Sequence, residues 1–290
     1  FTGSTQSGRK VMERTARRLI PTLCELGGND PMIVLSDADI ERAAGGAAWG
    51  GFTHAGQTCV SVERIYVEDS VAEAFTHLLV EKVRGHRCGV NDPGAEIEMG
   101  PLAVAPQIER VEEHLREAVE KGAKIVIGGR RMGNGSQRPS LFFEPTVVTG
   151  VDHSMKIMRE ETFGPVVAIM PVRDEEEAIR LANESSYGLS ASVWTRDIER
   201  GRAVARRLES GTVCVNNCLI TGGMPDLPFG GWKESGIGYR NFGAEGLRAF
   251  TRPRALLIDS SRRAAEPFWF PNKISSARRL DRLIGILFRW

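Results

Sequence analysis

No run of about 18 consecutive apolar residues occurs in the sequence, so a membrane-spanning helix is not expected. No charged-then-apolar leader opens it, and a secretory signal is not expected either. Cysteine is scarce. Cys24, Cys59, Cys88, Cys214 and Cys218 make an odd count of five, and none falls in a CxxC spacing. That pattern argues against a disulfide framework or a structural zinc site and for a reducing compartment. Net charge is nearly absent, at +1, which gives no reason to expect a nucleic-acid partner, since binding a polyanion normally needs a clustered basic surface. No internal repeat is visible, and the first residue is Phe1 rather than Met, from which a removed N-terminus or a fragment is expected. What is present is ordinary for a globular enzyme. With 41% hydrophobic and 26% charged residues over 290 positions, the chain can bury the core of one large or two ordinary domains.

Two short stretches carry candidate chemistry. Ala55-Gly56-Gln57-Thr58-Cys59 presents a thiol in a turn relaxed by Gly56, after a small-residue run (Ala43 to Ala48, then Gly50 and Gly51) that lets backbones approach closely. A thiolate there would be a nucleophile, but a lone cysteine reads equally as a small buried hydrophobe. Upstream, Glu25-Leu26-Gly27-Gly28-Asn29-Asp30-Pro31 places a carboxylate in an apolar, Gly-terminated segment. Desolvation would raise its pKa and suit it to act as a base. A solvated loop carboxylate is the other reading.

Taken in order, Glu25-Leu26-Gly27-Gly28, Gly56-Gln57-Thr58-Cys59 and Glu160-Glu161-Thr162-Phe163-Gly164-Pro165 resemble the general-base, nucleophile and cofactor-ribose motifs of the aldehyde dehydrogenase superfamily. Asn183, Tyr187-Gly188-Leu189, Gly211-Thr212-Val213 with Val215-Asn216, and Pro228-Phe229-Gly230-Gly231 with Lys233, Ser235 and Gly236 continue the pattern to about residue 259. Each motif is short; their order makes the resemblance specific. It implies Cys59 as nucleophile and Glu25 as base, with Gly3, Ser4, Leu26, Gly27, Glu161 and Phe163 around NAD or NADP and no metal ligand. It also implies a mechanism. Cys59 thiolate adds to an aldehyde, hydride passes to the nicotinamide from the thiohemiacetal, and water activated by Glu25 hydrolyses the thioester. Relatives that transfer the acyl group elsewhere tend to lack the carboxylate, so a free acid is the expected product.

The fold implied is α/β, with a mainly parallel sheet, flanking helices and most of the dinucleotide-binding part absent. Residues 1–25 would be the end of that part, 26–232 the catalytic domain, 233–262 a return segment with an oligomerisation strand, and 263–290 a tail. A homodimer or homotetramer, a small-molecule aldehyde substrate and a cytoplasmic location follow as expectations. A short, cofactor-free binding or oligomer-interface module is the alternative.

Periodicity gives the elements. A Gly/Ser turn opens a helix over 9–18, a start that favours anions or simply caps the helix. Strands are expected at 22–26, 32–35, 62–67, 124–127, 142–151, 166–172, 189–195, 212–216 and 247–259. Helices are expected at 40–54, 71–83, 106–121, 174–184 and 197–210. Their alternation predicts a parallel sheet covered on both faces, with active groups on loops beyond the carboxyl ends of strands. The charged set of 106–121 reads as a solvated face, 128–140 as a loop, and Cys214 and Cys218 as packing residues. His54 is read as a cap for its helix rather than a partner of Cys59. Asn216 either holds the substrate region or ends its strand.

Beyond residue 259 the pattern fades. Pro267-Phe268-Trp269-Phe270-Pro271 is aromatic, and 275–290 reads as a basic amphipathic helix, with Leu280, Leu283, Ile284 and Leu287 at helical spacing and Arg278, Arg279, Arg282 and Arg289 carrying charge. Such a helix either rests on an anionic membrane surface, here the inner one, or packs on the enzyme itself.

Overall fold

The structure is a computed structural model, and it describes every residue except 91–93, 95, 134–139, 239–240, 262, 267–268, 271–273 and 289–290. Part of the expected 128–140 loop, three residues of the aromatic segment (Pro267, Phe268 and Pro271), and Arg289 and Trp290 lie outside the described residues. The chain divides into two compact units, residues 1–251 and 252–290.

The first unit opens with α1 (Thr5–Ala16), β1 (Cys24–Glu25), β2 (Asp30–Val34), α2 (Ile40–Phe52), β3 (Val62–Glu68) and α3 (Asp69–Arg84). It continues through α4 (Ala105–Glu120), β4 (Lys124–Ile127), β5 (Thr146–Thr149), β6 (Val166–Val172), α5 (Glu175–Asn183), β7 (Tyr187–Gly188) and β8 (Ser190–Trp194). It ends with α6 (Ile198–Ala205), β9 (Thr212–Val215), β10 (Trp232–Lys233), β11 (Gly236–Ile237) and α7 (Gly243–Ala249). Three helices start where the sequence supplies an aspartate cap. Asp39, Asp174 and Asp197 accept the N–H groups of Arg42 (3.1 Å), Glu177 (2.9 Å) and both Glu199 and Arg200 (3.0 Å each).

Seven strands form one sheet in the order β4-β5-β6-β3-β2-β8-β9, parallel throughout except where β4 meets β5. The central β2, β3 and β8 are buried at every position, as expected of strands covered on both faces. α2 and α3 pack on each other, on one face by the usual right-handed crossover. The order then runs back from β6 to β8 and β9, so α5 and α6 cover the other. Two small antiparallel ladders, β1 with β11 and β7 with β10, tie the return segment to the body. Residues on either side of the expected divisions after 25 and 232 therefore share the first unit.

Several expected elements differ: the helix expected over 9–18 already starts at Thr5, behind its Ser4 cap, the strand expected over 142–151 covers only Thr146–Thr149, and the helix expected over 197–210 ends at Ala205. The helix expected over 40–54 stops at Phe52 and passes into a 3-10 turn (Thr53–Gly56), because His54 (φ 58°) and Ala55 (φ 56°) are left-handed and cannot continue it. The strand expected over 247–259 is absent: α7 takes its start, and residues 250–259 form no regular element. A strand needs a hydrogen-bonding neighbour, and no other described segment pairs with this one.

In the second unit α8 (Ile274–Leu287) realises the expected tail helix, with every side chain described for it exposed. At about 1.5 Å per residue it is some 21 Å long. No described helix is long and apolar enough to cross a membrane.

Candidate active site

Three chain segments converge where they enter the parallel sheet: 25–29 before β2, 57–61 before β3, and 160–165 before β6. All three lie at the amino ends of their strands, so the expectation of a site beyond the carboxyl ends is corrected. The carboxyl-end rule describes ligands held by strand-to-helix loops; here the loops that lead into strands carry the chemistry.

Glu25 lies in β1, buried, with its backbone held on two sides. Its N–H donates to Phe1 O at 2.9 Å, its carbonyl accepts the Gly3 N–H at 3.1 Å, and it faces Gly236 of β11. The next residue, Leu26, donates to Ser235 O at 2.9 Å. The Gly28 N–H donates to Glu161 Oε1 at 2.9 Å, and a side chain at Gly27 would place its Cβ 2.4 Å from Glu161 Oε2. The absence of a side chain at 27 lets the Glu161 carboxyl rest on that backbone; a larger residue there would have to displace it. Asn29 Nδ2 donates to Glu160 O at 2.8 Å and closes the same junction.

The Cys59 turn is fixed from both ends. Gln57 Nε2 donates to His54 O at 2.9 Å and Pro101 O at 3.3 Å, while its Oε1 accepts the Ala103 N–H at 2.8 Å. Ser61 N–H donates to Thr58 O at 2.9 Å. Cys59, Gly3, Ser4, Leu26, Gly27, Glu161 and Phe163 line one cavity of about 290 Å³, joined by Thr2, Gln107 and Arg110. All six predicted cofactor residues and the predicted nucleophile are thus brought together. Glu25 is not part of that lining, although its charge acts on Cys59. His54 opens on a different cavity, with Gly89, Ile97 and Pro101. Asn216 ends its strand, bonding both ways to the Thr195 backbone. Cys218 is buried and donates to Gly46 O at 3.3 Å. A wider depression of about 860 Å³ lies along α3 and contains none of these residues.

The electrostatics are those of a crowded acidic floor. Burial, and then the charges of Asp30, Glu161 and Glu25, push the Cys59 thiol up to about 11. Burial raises Glu161 against the Gly28 N–H and Arg110. Burial also lifts Asp30 well above the usual carboxylate range, against the Ser190 N–H it accepts at 3.1 Å and the charge of Arg64. Glu63 is pushed up to about 8 by burial and by Glu161. Arg64, itself buried, is the balancing cation; it donates to Asn29 O (2.9 Å), Tyr66 Oη (2.8 Å) and Ala182 O (3.3 Å). No group of three His, Cys, Asp or Glu side chains able to hold a metal occurs among the described residues.

Sequence reasoning missed Asp30, Glu63 and Arg64, and it read Arg110 only as solvated surface. A Glu-Arg pair inside the apolar run Val62-Glu63-Arg64-Ile65 was the available signal. Arg110 is exposed yet reaches Glu161 O at 3.3 Å, and Gln107 donates to Thr162 O at 2.6 Å, so one end of α4 serves the site. The rest of its charged face is laced with ion pairs: Glu112 with Arg131, Glu113 with Lys156, and Glu117 with Lys121.

The parallel α/β sheet thus carries a thiol turn, a buried carboxylate and a Gly-Gly cradle at its strand entries. The sequence profile of the aldehyde dehydrogenase family matches residues 1–256, and the chain belongs to that family. It is 42% identical over 288 residues to a 4,4'-diapolycopene aldehyde oxidase of Methylomonas sp., covering 99% of this chain and 52% of that one. It is 43% identical over 257 residues to a Mycolicibacterium smegmatis protein named for NADP(+)-dependent succinate-semialdehyde dehydrogenase, covering 88% and 49%. Betaine aldehyde dehydrogenase from Staphylococcus aureus, solved with NAD+, superposes with a TM-score of 0.81 at 40% identity, over 86% of this chain and 48% of that one. The chain spans about half the length of the curated relatives it matches.

Proposed function

We propose that the full-length protein containing this chain oxidises an aldehyde to a carboxylic acid with NAD or NADP. The observation that carries this reading is the single cavity in which Cys59 meets Gly3, Ser4, Leu26, Gly27, Glu161 and Phe163. The residues present fit the nicotinamide half of such a cofactor. The Gly27 backbone and Glu161 make a cradle that a Cβ would fill, and Gly3 and Ser4 put the start of α1 at the cavity, where backbone N–H groups favour phosphate. When bound, the cofactor accepts the hydride from the aldehyde carbon.

The chain's own residues supply the rest. Cys59 Sγ, once deprotonated, adds to the carbonyl carbon, and the carbon–sulfur bond holds the substrate while the C–H bond is lost. The Cys59 N–H lies beside the developing oxyanion as one donor. Glu25 then takes a proton from water as its oxygen attacks the thioester, and the carbon–sulfur bond breaks to release acid and thiol. The measurement that checks this is reduced-cofactor absorbance with the full-length protein and a series of aldehydes. One reduced cofactor and one carboxylic acid are expected per aldehyde consumed. No cofactor reduction with any aldehyde, or acyl transfer to coenzyme A in place of acid, would overturn the reading.

We infer that copies associate through residues 250–259 by strand addition, since Leu256, Leu257 and Ile258 are exposed. The proposed location is cytoplasmic, with α8 resting on the inner membrane surface. Residues 252–290 hold nine Lys and Arg against three Asp and Glu, and Leu280, Leu283 and Ile284 share a helix face beside Arg278, Arg279 and Arg282. Deleting residues 276–290 from the full-length protein is expected to abolish co-sedimentation with phosphatidylserine vesicles. Unchanged co-sedimentation would refute the membrane contact.

A further inference from the structure

Glu63 is a buried acid whose carboxyl is committed to backbone N–H groups. It sits in β3 only 2% exposed, faces like charge from Glu161 on the 160–165 segment, and lies near Asp30 at the start of β2 and Tyr187 of β7. The charge of Arg64, next to it in the strand, acts against that repulsion. Both of its oxygens are spent on two consecutive backbone groups: Oε1 accepts from Thr162 N (3.1 Å) and Phe163 N (2.8 Å), and Oε2 accepts from Thr162 N (2.8 Å). Those groups belong to the segment that faces the cavity. Phe163 is in the left-handed region at φ 51°, a conformation that a side chain-bearing residue keeps only when its surroundings hold it there. Gln107 and Asn29 hold carbonyls of the same segment, at Thr162 and Glu160, so Glu63 supplies the acceptors that its N–H groups need.

We propose that Glu63 is a positioning residue that acts through the Thr162–Phe163 backbone to set Glu161 on the Gly27–Gly28 cradle and Phe163 in the cavity wall, without touching substrate or cofactor. The inference rests on the proposed function, because the groups it sets are those assigned to the cofactor. Two N–H groups held by one carboxylate fix the direction of the peptide between them. With that acceptor gone, Phe163 relaxes toward an ordinary backbone region and the Glu161 carboxyl leaves the Gly28 N–H. Cys59 and Glu25 stand on other segments and keep their places.

The test uses Glu63→Ala and Glu63→Gln in the full-length protein, with three readouts: NAD(P)H affinity by fluorescence, the KM for cofactor against kcat, and cofactor-independent hydrolysis of p-nitrophenyl acetate at Cys59. Glu63→Ala is expected to weaken cofactor binding about tenfold and raise its KM in step, while ester hydrolysis stays within about twofold; Glu63→Gln, which keeps one acceptor, is expected to lose about threefold. Unchanged cofactor affinity in Glu63→Ala overturns the inference, as does a parallel fall in ester hydrolysis, which would mean a general structural role. If Glu63→Ala does not fold, Glu63→Gln decides. In the native protein cofactor affinity is expected to rise with pH through about 8, as the carboxyl ionises and becomes the stronger acceptor, and in Glu63→Gln that rise should be missing. An identical pH profile in both refutes the proposal. If the native full-length protein binds neither NADH nor NADPH, the functional reading falls first and takes the inference with it.

Discussion

Changing Cys59 to alanine in the full-length protein is expected to lower kcat/KM for aldehyde oxidation by about 10⁴-fold or more, because every later step hangs on the carbon–sulfur bond. Glu25→Gln is expected to fail differently. Acylation needs only the thiolate, so reduced cofactor should appear once per active site and turnover should then stall at the thioester. A Glu25→Gln enzyme with full steady-state turnover would remove Glu25 from the mechanism. The thiol itself sets the pH dependence. Its pKa is raised to about 11, so below that pH the neutral form dominates, and alkylation of Cys59 by iodoacetamide is expected to speed up continuously as pH rises from neutral. The oxidised cofactor is an anion overall, but its nicotinamide ring is positive; a ring held over a floor made acidic by Asp30, Glu161 and Glu25 would shift that profile to lower pH. A profile that levels off near neutral pH without cofactor would contradict the acidic floor.

Much of this architecture is legible in the sequence because its signals are local. The alternation of apolar strands with capped helices gives the parallel sheet, and Asp39, Asp174 and Asp197 mark the starts of α2, α5 and α6. The ordered motifs around Glu25, Cys59 and Glu161 bring together the residues found at one cavity. What escaped reading depends on long-range contact. Glu63 and Arg64 are adjacent charged residues in a strand read only from its apolar Val62, Ile65 and Val67, and the covering of both sheet faces buries them. The pairs β1–β11 and β7–β10 are two residues long, too short for any period to register. Residues 247–259 have strand composition, but composition cannot supply a hydrogen-bonding neighbour. Placement of the site at strand entries follows from which loops converge, a property of topology that no single segment encodes.

The second large effect is expected at Gly56, in the turn that delivers Cys59. Its φ is 70°, and a Cβ there would stand 2.0 Å from Gly164 O and 2.4 Å from the carbonyl carbon behind it. Both atoms are backbone, in the segment that also carries Glu161 and Phe163, so no side-chain rotation relieves the overlap. Gly56→Ala therefore has to separate the Cys59 turn from the 160–165 segment as well as accept a left-handed alanine, at a combined cost of about 3 kcal/mol or more. Gly45 is the internal control: it lies within α2, has no atom within 4 Å of its would-be Cβ, and on replacement by alanine should gain about 0.5–1 kcal/mol from helix propensity. Thermal unfolding of the two variants is expected to move in opposite directions. In Gly56→Ala both Cys59 alkylation and cofactor affinity should change together, since one overlap displaces both segments. A Gly56→Ala protein with native stability and reactivity would show that the thiol turn and the cofactor cradle are not packed against each other at this point.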